Sequence, residues 1–320
     1  MSIKIIKPGL YSTLVDTGRI GYRSSGIGPV GAMDTFAMTI ANSLVGNKDD
    51  SAVIEMHFPA SEILIEDSMI ISITGKGFDA FLNGEKIALW RAIAVKNRTV
   101  ITFKKSGNGA RAYFAVAGGW KASKWLNSYS THIGIQSSGY HGRILQADDL
   151  IETCSELGTG NPKHFPWGIS LNILNEVYHT NDIRCVAGPE SSFLTTDSLN
   201  KFSTYDFKVD YKSNRMGYRL NGPLLKLSQL ISLVSSPVDF GTIQLLPDGT
   251  LIVLMADHQT MGGYPRIAFV CNVDLPKLAQ CNAGDSIKFR IISFAEAESE
   301  LLLRSKMIND LKKSCLRHYQ

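Results

Sequence analysis

Short apolar runs, each bounded by turn residues, succeed one another along most of this chain, and that rhythm constrains the fold more than any other feature. Leu10 to Val15, Val53 to His57, Ile63 to Ile65, Ile70 to Thr74, Val100 to Phe103 and Arg111 to Ala117 read as strands in the first half. Asn83-Gly84, between Phe81 and Ile87, is a hairpin signal, because both residues accept the positive φ of a type I′ turn. One good helix interrupts them, Asp34 to Val45, with Asp34 as N-cap and Phe36, Ile40, Ala41 and Leu44 on one face. Further on, strands are expected at Ile183 to Ala187, Thr204 to Asp210, Ile231 to Val234, Ile243 to Leu246, Leu251 to Met255, Ile267 to Val273 and Ser286 to Ile292. Many short strands and few helices predict a mainly β protein with minor α, built as barrels or sandwiches rather than as a βαβ nucleotide fold.

At 320 residues the chain is long enough for two domains, each with its own core. A composition shift at Gly158-Thr-Gly-Asn-Pro162, followed by Pro166, marks the expected linker. It predicts a β-rich domain over 1–160 and a β-barrel domain over 161–294. Residues 295–320 then form an amphipathic tail helix, with Leu302, Leu303, Met307, Leu311 and Cys315 at helical spacing. Asp274 to Gln280 reads as a short capped helix.

Hydrophobic content of 44% and charged content of 19% are those of a soluble globular protein. The net charge of +4 is spread along the chain, which argues against nucleic acid as partner. The five cysteines are scattered without metal-ligand spacing, so reduced structural thiols are expected. No long apolar segment and no leader pattern is visible, and the cytoplasm is the expected compartment, with no membrane contact.

Three clusters carry chemistry. Met255-Ala-Asp-His-Gln-Thr-Met-Gly-Gly-Tyr-Pro265 follows a buried strand and sets Asp257, His258, Gln259, Thr260 and Tyr264 around Gly262-Gly263. An isolated segment of this kind is more often a polar turn, but the density of hydrogen-bonding groups favours a site. Asp16-Thr-Gly-Arg-Ile-Gly-Tyr22, leading to Gly31-Ala-Met-Asp34, is either a surface loop or an anion cradle with Arg19 as its forked donor. Ser213-Asn-Arg-Met-Gly-Tyr-Arg219 places Arg215 and Arg219 in one segment, suited to a carboxylate or phosphate, or equally to an interdomain ion pair. Phosphate-loop, zinc-protease, hydrolase-elbow and biotin-attachment motifs are missing, so nucleotide or biotin chemistry would need another polypeptide.

These clusters, with Ala41-Asn-Ser-Leu-Val-Gly-Asn47, Arg215-Met-Gly-Tyr-Arg-Leu220 and Gly241-Thr-Ile-Gln244, resemble the allophanate hydrolase subunit 2 family from about Leu10 to Ile292. That family includes the C subunit of the bacterial ATP-dependent 5-oxoprolinase, an antagonist of a sporulation kinase inhibitor, and the carboxyltransferase region of urea carboxylase. The resemblance implies a cyclophilin-like β-barrel architecture and two partners, the 5-oxoprolinase B subunit and, in the full assembly, its A subunit. It also implies ATP used by the complex and a small amide as substrate, with no metal assigned.

On that resemblance Asp257 and Gln259 are the expected catalytic pair, Asp257 orienting or deprotonating the amide nitrogen. Gln244 and Thr260 are expected to hydrogen-bond the amide, Gly262 and Gly263 to give access, and Tyr264 to form a wall. Arg215 is expected on a substrate carboxylate, with Asp34 and Arg19 completing the pocket from the other domain. His258 and Met261 stand where the family's typical motif has Arg and Thr. Two other roles fit the resemblance: a regulatory protein that sequesters the B subunit, and a carboxyltransferase acting on a urea-like amide with a separate biotin carrier.

Overall fold

The computed structural model describes residues 1–154, 166–229 and 231–319. The linker expected at Gly158 to Pro162 lies outside the described residues. The chain divides into two compact units, one made of Met1–Arg19, Val30–Ile173 and Met307–Gln320, the other of Ile20–Pro29 and Leu174–Lys306.

In the first unit, strands β1 (Ser2–Lys7), β2 (Tyr11–Val15), β3 (Val53–His57), β4 (Glu62–Ile65), β5 (Met69–Gly75), β6 (Phe78–Leu82), β7 (Glu85–Ile87), β8 (Ala92–Val95), β9 (Thr99–Lys105), β10 (Arg111–Val116) and β11 (Leu150–Glu152) form two sheets. One runs β11-β1-β4-β9-β6-β7 and the other β2-β3-β10-β5-β8. Their facing apolar residues, among them Ile3, Ile5, Ile63 and Ile101 from the first sheet and Ile54, Ile71, Ile73 and Phe114 from the second, share one core. The β6–β7 turn has φ of 49° at Asn83 and 88° at Gly84, as the type I′ signal predicts.

Helix α1 (Thr35–Leu44) lies on the five-stranded sheet, and Asp34 caps it by accepting from the Ala37 N–H at 2.9 Å. Ser72 and Thr74 of β5 donate to the carbonyls of Ala41 and Ala37, which fixes the helix to the strand beneath. A buried chain of hydrogen bonds holds its start: Asp34 N–H to Tyr113 Oη at 2.7 Å, Tyr113 Oη to Glu55 Oε2 at 2.9 Å, and Met33 N–H to the same Glu55 oxygen at 2.8 Å.

The second unit is a closed barrel. Its strands β12 (Asp182–Ala187), β13 (Asp206–Val209), β14 (Gly217–Asn221), β16 (Thr242–Leu245), β17 (Leu251–Leu254), β19 (Arg266–Val270) and β20 (Ser286–Ile291) are ordered β12-β19-β16-β17-β14-β13-β20. Six of its contacts are antiparallel and one, β12 with β20, is parallel. Seven strands cannot alternate direction all the way round a ring, so one parallel pair is a requirement of closure. Two-residue strands β15 (Ser236–Pro237) and β18 (Met261–Gly262) pair apart from the barrel. The strand expected at Ile231 to Val234 does not form. Val234 is 90% exposed, and with no buried face to reward its alternation the segment stays irregular until Ser236.

Helices α2 (Leu171–Tyr178) and α3 (Thr196–Thr204) add to the expected elements, and α3 ends on Thr204, the residue expected to begin a strand. Phe202 of α3 stacks on Phe289 of β20 at 4.8 Å. Helix α5 (Phe294–Leu316) forms as expected, but of its anticipated apolar face only Cys315 is buried, and Leu302 and Leu303 are exposed.

Helix α4 (Leu275–Ala279) is preceded by Asp274, whose carboxylate does not cap it. It turns instead to Arg184 of β12, accepting from Nε at 2.8 Å and Nη2 at 2.7 Å, and lies 3.0 Å from Lys277 Nζ. Burial alone would raise the Asp274 pKa, but the Arg184 and Lys277 cations and the Arg184 backbone N–H hold it below its ordinary value. A depressed carboxylate contributes stability that is present above its unfolded pKa near 3.8 and is lost as pH falls through the lower folded value. Asp274→Asn is expected to cost about 3–5 kcal/mol in urea unfolding at neutral pH, because it removes the only carboxylate paired with the buried Lys277 ammonium among the described residues and leaves Arg184 with Glu300 alone. The variant should also show a shallower loss of stability below pH 4 than the parent, measured by the same unfolding curves across pH.

Candidate functional site

Alternation around the barrel decides which side chains are available. Tyr218 and Leu220 of β14, Leu251 and Val253 of β17, and Ile243 and Leu245 of β16 are buried. The residues between them, Arg219, Ile252 and Gln244, point the other way. Register places these three side by side, Arg219 opposite Ile252 and Ile252 opposite Gln244, so they form one outward row across three strands. Past a bulge the row continues to Arg266 of β19.

Outward orientation does not expose Gln244, which is 1% accessible. The segment from Met261 to Pro265 folds over it, and the absence of a side chain at Gly262 permits the contact, since a Cβ there would sit 2.6 Å from Gln244 Nε2. Nε2 donates to the Tyr264 carbonyl at a long 3.4 Å, which fixes the direction of the amide. Oε1 is buried with no hydrogen-bond partner among the described residues. An orphaned buried acceptor costs about 1–3 kcal/mol, and a ligand that brings a donor recovers that cost.

A cavity of about 350 Å³ opens at this row, lined by Arg219, Gln244, Asp248, Ile252, Gln259 and Tyr264 together with Leu246 and Pro247. That volume suits a small ligand. A second, larger cavity of about 620 Å³ borders the far side of Tyr264 and includes Gly263 and residues Leu225 to Gln229.

The structure thus brings Gln244, Gln259 and Tyr264 to one cavity, with Gly262 as the spacer above Gln244. Asp257 and Arg215 line neither cavity and meet each other. Arg215 Nε and Nη2 donate to the two Asp257 oxygens at 2.9 and 2.8 Å, with Arg215 only 8% exposed. The guanidinium edge expected on a substrate carboxylate is therefore held by Asp257. Thr260 accepts from Val238 N–H through its backbone carbonyl, which aligns the β15–β18 pair. The two arginines of this segment differ in environment: Arg215 precedes β14 and is buried, whereas Arg219 is exposed.

His258 is buried beside these residues. Its Nδ1 lies 2.6 Å from the Gln259 carbonyl, which can only accept, so Nδ1 carries hydrogen and Nε2 faces Asp239 Oδ1 at 3.9 Å. Burial lowers the imidazole pKa below its ordinary value, against the pull of the Gln259 carbonyl and Asp239. Asp239 in turn accepts from Arg23 Nη2 at 2.5 Å. His258 is thus an inward-facing neutral ring at neutral pH rather than a substitute cation for the family's Arg.

Arg19 and Asp34 are engaged inside the first unit. Arg19 is fully buried, donates to the Ser130 carbonyl and Ser138 Oγ, and lies 5.1 Å over the Trp125 ring. Asp16 of the same loop accepts from the hydroxyls of Ser128 and Ser130, both at 2.6 Å, and from Gly18 N–H at 2.8 Å. These side chains order the loop from within. Among the described residues no group of three or more His, Cys, Asp or Glu is placed to hold a metal ion, and no helix is long and apolar enough to cross a membrane.

Residues 25–291 match the family described as carboxyltransferase domain, subdomain A and B. The chain is 34% identical over 299 residues to the 5-oxoprolinase C subunit of Escherichia coli, covering 92% of this chain and 93% of that protein. It is 30% identical to urea amidolyase of Saccharomyces cerevisiae over 93% of this chain but only 17% of that longer protein. The crystal structure of Kluyveromyces lactis urea carboxylase superposes with a TM-score of 0.86 at 26% identity, over 97% of this chain and 29% of that one. The chain therefore belongs to the carboxyltransferase family of subdomains A and B, the allophanate hydrolase subunit 2 group to which its motifs pointed.

Proposed function

We propose that this chain is the C subunit of an ATP-dependent 5-oxoprolinase, in which it binds and activates the lactam amide of 5-oxoproline for opening to glutamate. The observation that carries the reading is the buried Gln244 side chain, which lines a small cavity and holds an Oε1 without a hydrogen-bond partner among the described residues, an acceptor suited to a lactam N–H. Gln259, on the same cavity, donates to the lactam carbonyl and stabilises charge that develops on its oxygen. Tyr264 forms a wall of the cavity, and Gly262 gives the Gln244 amide its place. Likeness to the Escherichia coli protein across nearly the whole of both chains supports the assignment.

The B and A partners complete the enzyme, and the ATP is handled by the complex rather than by this chain. The glycine-rich stretch nearest to an anion cradle turns its Arg19 inward to Ser130 and Ser138, so the residues present do not fit a nucleotide phosphate. Asp257, which lines neither cavity, serves as the partner of the buried Arg215 cation. A second reading, carboxyl transfer to a urea-like amide, is favoured by the family description and by the structural likeness to urea carboxylase, and it requires a separate biotin carrier.

The direct test is ATP-dependent cleavage of 5-oxoproline by this chain reconstituted with its B and A partners, with carboxylation of urea measured in parallel. Gln244→Ala is expected to lower kcat/KM for 5-oxoproline by about 10- to 100-fold, the worth of a hydrogen bond in a desolvated site. Gly262→Ala should act in the same direction, because the new methyl pushes the Gln244 amide aside while the neighbouring backbone stays in place. Unchanged kinetics in both variants would remove the cavity from the reaction. For Asp257, paired with Arg215 and lining neither cavity, the useful variant is Asp257→Asn, which keeps one acceptor for Arg215 but sets an amide N–H against the other donor; activity within about ten-fold of the parent with the complex intact is expected of a carboxylate that serves Arg215 alone. A drop of about 100-fold or more at unchanged stability would instead assign Asp257 the amide proton.

A further inference from the structure

Two arginines flank Gln244 in the outward row of the barrel, and they differ in one respect. Arg266 is already neutralised: its Nε and Nη2 donate to the two Glu190 oxygens at 3.0 and 2.8 Å, and its backbone N–H reaches the same carboxylate. Arg219, on the other side, makes no side-chain hydrogen bond or close ion pair among the described residues; its backbone bonds Asp210 and Ser213, and its charge acts on the Asp210 and Asp248 carboxylates only at longer range. Asp248, the one acid on the cavity wall, spends Oδ1 on the Thr250 N–H and hydroxyl at 2.9 and 2.6 Å. Between Arg219 and Gln244 stands Ile252, an apolar floor one strand wide. Neighbouring strands are about 4.8 Å apart, so the cation and the amide acceptor stand roughly 10 Å apart at their Cα atoms. Their side chains converge on a cavity of about 350 Å³.

We infer that Arg219, rather than Arg215, is the anchor for the substrate's anionic group, and that the cavity selects small planar amides bearing a carboxylate. The inference rests on the 5-oxoprolinase reading only for the identity of the amide. Its physical basis is independent: Gln244, which holds an unsatisfied acceptor, and Arg219, a forked cation with no side-chain hydrogen bond among the described residues, line one small cavity across an apolar strip. A ligand that engages both must present an N–H to Gln244 and a carboxylate to Arg219, with an apolar edge toward Ile252. 5-Oxoproline has all three, its carboxylate on the carbon next to the lactam N–H and its two ring methylenes as the apolar edge, whereas neutral urea lacks the carboxylate. Arg215 cannot serve in the same way without giving up Asp257, the carboxylate that neutralises it.

The test compares Arg219→Gln and Arg219→Lys with the parent, in the reconstituted complex and as the full-length chain. Probes are 5-oxoproline, 2-pyrrolidinone, which is the same lactam without the carboxylate, and N-carbamoylglycine, an open amide carrying one. Arg219→Gln is expected to raise KM for 5-oxoproline about ten-fold or more while kcat is retained, as befits loss of a charge-assisted contact made equally in ground and transition states. Binding of 2-pyrrolidinone to the full-length chain, followed by NMR titration, should be unaltered by the substitution. Arg219→Lys should restore part of the affinity through its charge but not the forked geometry. An unchanged KM for 5-oxoproline in Arg219→Gln overturns the assignment while leaving the oxoprolinase reading intact. Equal weakening of 2-pyrrolidinone also overturns it, since that outcome reports a disturbed cavity. Should the parent complex fail to cleave 5-oxoproline yet the chain bind N-carbamoylglycine in an Arg219-dependent manner, the oxoprolinase reading falls and the carboxylate anchor stands. Binding of neither carboxylate probe by the parent chain overturns the anchor.

Discussion

Closure of a barrel with an odd number of strands is the constraint on which the second unit depends. Because β12 and β20 must run parallel, the chain cannot join them by a hairpin, and the ring is shut by backbone pairing between its first and last strands. Arg184 sits at this seam, on β12, and its guanidinium fastens Asp274 at the head of α4 and Glu300 on α5. A closed ring has no free edge, so its inward side is filled and every functional group must be displayed outward or beyond the strand ends. The row from Arg219 through Ile252 to Gln244 is the outward display, and Asp257 with Arg215 lies beyond the strand ends.

An outward glutamine on a barrel would ordinarily be wetted. Here a loop with a two-residue pairing to β15 lies over it, and the pairing of Ser236 with Gly262 brings a residue without a side chain above the amide. Desolvation is what makes the amide discriminating, because an orphaned acceptor in a dry place is satisfied only by a ligand that brings a donor. The same loop presents Met261 and Tyr264 to solvent, so the covering is thin.

Much of the fold is legible in the sequence because burial on one face leaves a period of two. Val53 to His57 forms a strand with the bounds its pattern predicts, and α1 with its Asp34 cap matches its pattern to within a residue. The hairpin at Asn83-Gly84 follows from residues that tolerate its dihedrals. The failures share a cause. Ile231 to Val234 has the composition of a strand but no neighbour to bury it, and α3 is polar enough that packing, not pattern, decides its state.

The candidate site is legible in its parts and not in its pairing. Residue types suited to amides cluster after β17, and Gln244, Gln259 and Tyr264 do meet at one cavity. Which charged groups are already spoken for is a tertiary fact that spacing does not carry. Arg215 and Arg219 are chemically alike and four residues apart, yet one precedes its strand and buries its charge on Asp257, while the other stands within it and points outward. The alternation of Tyr218 and Leu220 around Arg219 is the available clue, since two inward apolar neighbours force the residue between them out. Arg19 and Asp16 are the converse case: a glycine-rich loop suited to an anion instead folds its charged side chains onto serines of its own unit. A polar cluster in a sequence therefore identifies groups that must be satisfied, and only the fold decides whether the chain or a ligand does so.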